Sequence, residues 1–192
     1  MSKARIDLTN QFLIAMPGMV DETFAGSVIY LCEHNEKGAL GLVINKPISL
    51  TLGNLFEKVE LELSDVDMAA RPVFFGGPVQ TERGFVLHEA LDEQGNHYSA
   101  TLAVPGGLEM TTSRDVLEAL SNGAGPKRVL VTLGYSGWAA GQLEEELGRN
   151  GWITVDATHE IIFDTPIEER YDKALALLGI DPRMLSQEAG HA

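Results

Sequence analysis

The feature that most constrains this chain is a pair of apolar runs, Ser27 to Glu33 and Ala39 to Asn45, flanking the polar tetrapeptide Asn35-Glu36-Lys37-Gly38. Two β-rich runs joined by a short polar segment read as a β-hairpin, with Gly38 free to take the positive φ that a tight connection demands. Both runs are apolar at nearly every position rather than at alternate ones, so the strands are expected to be covered on both faces. A core of that kind is affordable here: of 192 residues, 44% are apolar and 22% charged, which suits one globular domain over residues 1–192 and excludes disorder for most of the chain.

Around the hairpin, Phe12 to Ala15 reads as a short strand ended by Pro17-Gly18, and Pro47 is expected to end the second hairpin strand. Leu52, Leu55, Phe56 and Val59 recur at i, i+3, i+4 and i+7, which predicts a helix over 51–59. Residues 71–79 and 84–89 read as strands separated by turn residues, and 97–104 alternates as a half-exposed strand broken by Pro105-Gly106-Gly107. A helix is expected from Thr112 to about Leu120, a strand over 128–133, a Gly-rich loop, a helix over 139–149, and strands over 152–156 and 160–163. Thr165-Pro166-Ile167-Glu168 has the form of a capping box with proline at the first helical position. A last helix is expected from Asp181-Pro182, with fraying from about residue 187. Strands come first and helices then mix with strands without βαβ alternation, so the fold class is α+β, a single domain.

Charge narrows the partners. Fourteen Lys and Arg stand against 28 Asp and Glu, a net charge of −14, and each half of the chain carries 7 basic and 14 acidic residues. A surface of that sign repels phosphate, so direct nucleic-acid binding is disfavoured. The lone Cys32 cannot close an intramolecular disulfide, and the opening MSKARID lacks a secretory pattern, so a cytoplasmic location is expected. The most apolar early stretch, Phe12 to Val20, is far shorter than the roughly 20 residues a bilayer crossing needs, and no membrane span is predicted.

Sharp motifs fail: the chain contains no GxxxxGK[ST], no GxGxxG and no HExxH. Gly134-Tyr135-Ser136-Gly137-Trp138 departs from the nucleophile elbow at its fifth position, so Ser136 is not expected to be a hydrolase nucleophile. Cys32-Glu33-His34 gathers three metal-binding residue types, but a strand sends Glu33 to the opposite face, and neither a metal nor a cofactor is assigned. Glu33 and His34 also suit a polar small-molecule site with Asn45 and Lys46, although a hairpin puts those pairs at opposite ends. His88, inside Phe85-Val86-Leu87-His88, reads as a satisfied core or edge histidine. Gly76 and Gly77, before Pro78, mark a turn or bulge that demands bare backbone, or a loop closely approaching a ligand. The unit 128–146 reads first as a structural turn, with Trp138 plugging the core; the functional readings beside it are a partner surface or a Gly-rich loop feeding a helix N-terminus, an anion cradle to which Tyr135, Ser136 and Gln142 would add hydrogen bonds.

Read together, FLIAMPGM (12–19), EHNEKGALGLVINKP (33–47), FFGGPV (74–79), LGYSGWAAGQLEEE (133–146) and IIFDTPIEERY (161–171) closely resemble the bacterial YqgE/AlgH family, in order and over nearly the whole chain. The resemblance implies a cytosolic α+β protein with a mixed, barrel-like sheet and surrounding helices. It implies no established reaction, cofactor or catalytic residue, and some members carry a transcriptional-regulator label. Two functions follow as expectations. The first is a non-enzymatic binding or regulatory protein that uses loops at Asn35, Gly76 and Tyr135 to hold a protein partner or a small anionic ligand. The alternative is an enzyme acting on a small anionic metabolite, with Glu33 or His34 as general acid or base, Lys46 as charge partner and the loop after Leu133 as the cradle. A DNA-binding regulator ranks last.

Overall fold

The computed structural model describes residues 7–18, 21–90 and 98–179. The hairpin forms where the apolar runs place it: β2 (Val28–Asn35) pairs antiparallel with β3 (Gly38–Val43), with Glu33 opposite Leu40 and a register shift between Leu31 and Glu33. Gly38 has φ 137°, and a Cβ there would stand 2.1 Å from the Trp138 carbonyl oxygen, so this position requires glycine. β1 (Gln11–Ala15) pairs with β2 on one side and with β10 (Trp152–Asp156) on the other.

The organising strand is β9 (Val129–Ala139), which pairs antiparallel with β6 (Val79–Glu89) along its first part and with β3 along its last. It also runs parallel to β5 (Pro72–Phe75), which pairs with β4 (Pro47–Thr51). β7 (Thr101–Val104) and β8 (Leu108–Thr111) complete a sheet of order β10-β1-β2-β3-β9-β6-β8-β7. The result is an α+β domain with a curled, largely antiparallel half-barrel and six α-helices among the described residues.

Both faces of the hairpin are covered, as its composition predicts. Val28, Tyr30 and Cys32 enter a cluster with Phe12, Ile161, Ile162 and Leu175, whereas Ile29 and Leu31 face Trp138, Leu143 and Trp152. A third cluster packs Phe56 of α1 (Leu52–Lys58) and Val116 of α3 (Asp115–Ser121) against Val86 and Val131. Each such fully buried side chain contributes about 1.5–3 kcal/mol.

Several local expectations are overturned by tertiary context. Pro47 does not end strand structure; after a bend it opens β4 on the sheet's side branch. Residues 79–89 form one strand, its irregularity between Val79 and Gly84 absorbed in the ladder. Pro105-Gly106-Gly107 breaks the strand at Val104 as expected, but as a hairpin turn into a strand the sequence did not signal, β8, with both glycines at positive φ. Residues 160–163, expected as a strand, belong to α5 (His159–Phe163), whose N-terminus is capped by the Thr158 side chain accepting from Ile161 N–H. The capping box at Thr165 does not form: Thr165 donates to the Glu160 carbonyl, and a 3₁₀ turn (Ile167–Glu169) leads into α6 (Arg170–Ala176). The helix expected from Asp181 and the frayed end lie outside the described residues, as does His97.

Candidate functional site

The stretch read as a Gly-rich anion loop is the end of strand β9, and its backbone N–H groups serve the ladder. The glycines have another purpose. A Cβ on Gly76 would lie 2.2 Å from the Gly134 carbonyl oxygen, and one on Gly77 2.1 Å from the Tyr135 carbonyl carbon, so bare backbone lets the β5–β6 connection cross β9 in contact. Ser136 is fully buried at this crossing and donates its hydroxyl to the Gly76 carbonyl at 3.0 Å. The helix that follows, α4 (Gln142–Gly148), is seven residues long and starts from Gly141 at φ 77°.

What β9 and α4 build instead is an aromatic cleft of about 770 Å³. Trp138 on β9 and Trp152 on β10 meet edge to face at 6.2 Å; Phe24 stacks on Trp138 at 6.4 Å and meets Trp152 edge to face at 5.7 Å. Glu146 on α4 ties the walls together, one carboxylate oxygen accepting both indole N–H groups, at 3.1 Å from Trp138 and 3.0 Å from Trp152. Its other oxygen accepts from Gln142 Nε2 at 2.9 Å, and Gln142 Oε1 accepts from Ala139 N–H at 2.9 Å. Met16, Pro17, Gly18, Asp21, Gly137, Arg149, Asn150 and Gly151 form the rest of the lining. Arg149 is paired with Glu145.

The other residues singled out in the sequence fall in four places. Asn45 and Lys46 hold the wall that carries Phe24: Asn45 accepts from Val28 N–H and donates to the Gly26 carbonyl, and Lys46 Nζ donates to the Thr23 carbonyl. Partial burial lowers the Lys46 pKa, with Asp21 pulling the other way. Glu33 and Tyr135 line a groove of about 420 Å³ with Asn35, Lys37 and Leu40, which shares Gly137 and Trp138 with the lining of the cleft. His34 lies behind, 7% exposed: its Nδ1 accepts from Leu8 N–H at 3.1 Å, which puts the proton on Nε2, 2.9 Å from Glu144. From Leu40, opposite Glu33, to Lys46 is six residues of chain, roughly 20 Å if extended. Gly76, Gly77 and Ser136 lie inside the sheet crossing.

The Ser136 hydroxyl is committed to a carbonyl, and burial pushes the pKa of the Cys32 thiol far up. His88 is fully buried, with Nδ1 against the Glu89 carbonyl and Nε2 against the Thr111 hydroxyl, as a satisfied core histidine would be. Among the described residues no group of three or more His, Cys, Asp or Glu is placed to hold a metal, and no helix is long and apolar enough to cross a membrane. Phe24, Glu146 and Trp152 were not singled out in the sequence. The available signals were the two tryptophans of the chain flanking a helix and the four-residue spacing of Gln142 and Glu146.

Residues 12–183 match the model of the family DUF179, AlgH-like. The chain is 66% identical over 189 residues to the UPF0301 protein RSc0675 of Ralstonia nicotianae, covering 98% of this chain and 97% of that one. It is 66% identical over 191 residues to the UPF0301 protein Reut_A0705 of Cupriavidus pinatubonensis, covering 100% and 98%. The solution structure of the AlgH protein from Pseudomonas aeruginosa superposes with a TM-score of 0.78 at 47% identity over the whole of both chains. A crystal structure from Corynebacterium diphtheriae, DIP2367, shares the fold at TM-score 0.74 and 18% identity, covering 97% and 94%.

Proposed function

The chain belongs to the AlgH-like family DUF179, and within it we propose that it works as a cytoplasmic, non-enzymatic binding or regulatory protein that grips a partner protein in the Trp138–Trp152 cleft. The observation that carries the reading is Glu146 holding both indoles on one oxygen. A pinned aromatic wall is pre-organised, and pre-organisation lowers the ordering cost of binding. The occupant is a segment presenting an apolar or aromatic anchor beside a Lys or Arg. Aromatic faces take the anchor and the cation, Asp21 and Glu146 supply local negative charge, and the net charge of −14 favours approach of a basic partner. A lone cysteine buried as a thiol suits a reducing compartment.

The test is capture of partners from native lysate by the wild type and by Phe24→Ala and Asp21→Arg, followed by titration of the recovered partner against purified protein. Both tryptophans of the chain line this cleft, so intrinsic emission reports the site directly. The expected result is a partner lost in both variants whose titration moves the emission of the wild type. Capture that survives both substitutions, with emission unmoved, would refute the reading.

The small-anion enzyme finds less support. Glu33 shares a groove with Tyr135 at the end of β9, but that stretch is ladder strand rather than an anion cradle, His34 is paired with Glu144, and Lys46 is tied to the Thr23 carbonyl.

A further inference from the structure

Away from the cleft, a slot of about 280 Å³ opens between β5, the start of β9, the end of α5 and the 3₁₀ turn. Its walls are Phe74, Val129, Val131, Ile162, Phe163 and Ile167, and no Asp or Glu lines it, in a chain that carries 28 of them. Two arginines do: exposed Arg71, and Arg170, which is 6% exposed.

Arg170 is held rigidly. Its Nε donates to the Thr165 carbonyl at 3.0 Å, its Nη1 to the Ile44 carbonyl at 2.5 Å, and the guanidinium lies 5.2 Å from the Phe74 ring centroid. Those bonds use two of the five N–H groups a guanidinium carries. Among the described residues Nη2 has no acceptor, yet the one sealed polar atom without a partner is Ser27 Oγ; Nη2 therefore keeps some exposure, on a residue that lines the slot. Burial lowers the Arg170 pKa to about 10, with exposed Glu168 raising it, so the group is cationic at neutral pH.

We propose that this slot is a binding site for a small monocarboxylate with an apolar body, its carboxylate on the unspent Arg170 N–H groups and its body against Phe74, Ile162 and Ile167. A single buried cation matches a single negative charge; a phosphate dianion would bring a second charge into apolar walls. The slot, at about 280 Å³, falls just below the usual range of small-molecule sites, about 300–1,000 Å³, and so suits a small ligand.

The experiment titrates benzoate, phenylacetate and hexanoate into the purified full chain by two-dimensional NMR, with benzamide and inorganic phosphate as comparators. Saturable shifts at Ile162, Ile167 and the Arg170 Nε–H are expected, with benzamide at least about tenfold weaker, the loss that follows from removing a charge-assisted hydrogen bond. Arg170→Lys should weaken benzoate by a similar factor. Should that variant fail to fold, Ile167→Trp, which fills the slot from the 3₁₀ turn, should abolish binding. In the wild type, tryptophan emission should stay unchanged, because neither native indole borders the slot. The proposal is overturned by absence of saturable binding up to about 10 mM, by benzamide or phosphate binding as tightly as benzoate, or by shifts that cluster elsewhere.

Discussion

Replacing Glu146 by alanine removes the acceptor shared by Trp138 and Trp152 while leaving both rings in place. Each indole N–H donates to a charged oxygen, at 3.1 and 3.0 Å, from side chains only 6% and 5% exposed. Hydrogen bonds to charged groups are worth about 1.5–3 kcal/mol each, but water in the adjoining cleft can rebind the freed donors, so the expected loss falls at or just below the low end of their sum, about 2–3 kcal/mol in all. The Gln142 bond to the second oxygen lies in solvent and adds little. For a domain of this size one kcal/mol moves Tm by about 2–4 °C, which gives a drop of about 4–12 °C. Glu146→Gln keeps an acceptor oxygen and loses only the charge, so about half that cost is expected. Thermal melts and urea titrations of both variants provide the comparison, with emission spectra as a local readout. A Glu146→Ala variant melting within about 1 °C of wild type, or Glu146→Gln falling as far as Glu146→Ala, would refute the argument that this carboxylate organises the cleft.

Two further substitutions test the sheet. Gly77→Ala should prevent accumulation of folded protein, because its Cβ would meet Tyr135 and Ser136 backbone atoms at 2.1–2.3 Å, whereas Gly84→Ala, with nothing within 4 Å, should stay within about 0.5 kcal/mol of wild type by urea titration; the reverse ranking would refute the crossing. His88 gives a pH signature: burial lowers its pKa below the ordinary 6.5, against the opposing pull of the Glu89 carbonyl and Glu109. The native state then binds fewer protons than the unfolded chain, so this contribution is fully present above pH 6.5 and is lost as pH falls through the native value. Urea midpoints from about pH 7.5 to about pH 5 should fall more steeply in wild type than in His88→Gln, and parallel curves would show that the histidine does not contribute.

The contrast between α1 and α6 shows where local information suffices. α1 begins at Thr51 with the reciprocal Thr51–Asn54 cap its sequence allows, because nothing else competes for those groups. Thr165-Pro166-Ile167-Glu168 carries an equally good local signal, yet the Thr165 hydroxyl goes to Glu160 and its carbonyl to Arg170, so the helix starts later. Residues 159–163 show the same override, since the Thr158 cap and the burial of Ile161 and Ile162 in the main cluster favour a helix despite β-branched composition. The Gly76-Gly77 and Gly134 pattern signalled bare backbone correctly, but its partner is another stretch of the chain rather than an anion.

The sequence by itself determined the hairpin at 28–43, its burial on both faces, the α+β class and the family, because these rest on runs of neighbouring residues whose composition and order are directly readable. Tertiary structure alone decided that Phe24, Trp138, Glu146 and Trp152 share one cleft, and that Arg170, far along the chain, reaches the Ile44 carbonyl beside an acid-free slot. Such groupings depend on strand order and on which long-range contacts the buried core permits, and no local period or spacing encodes them.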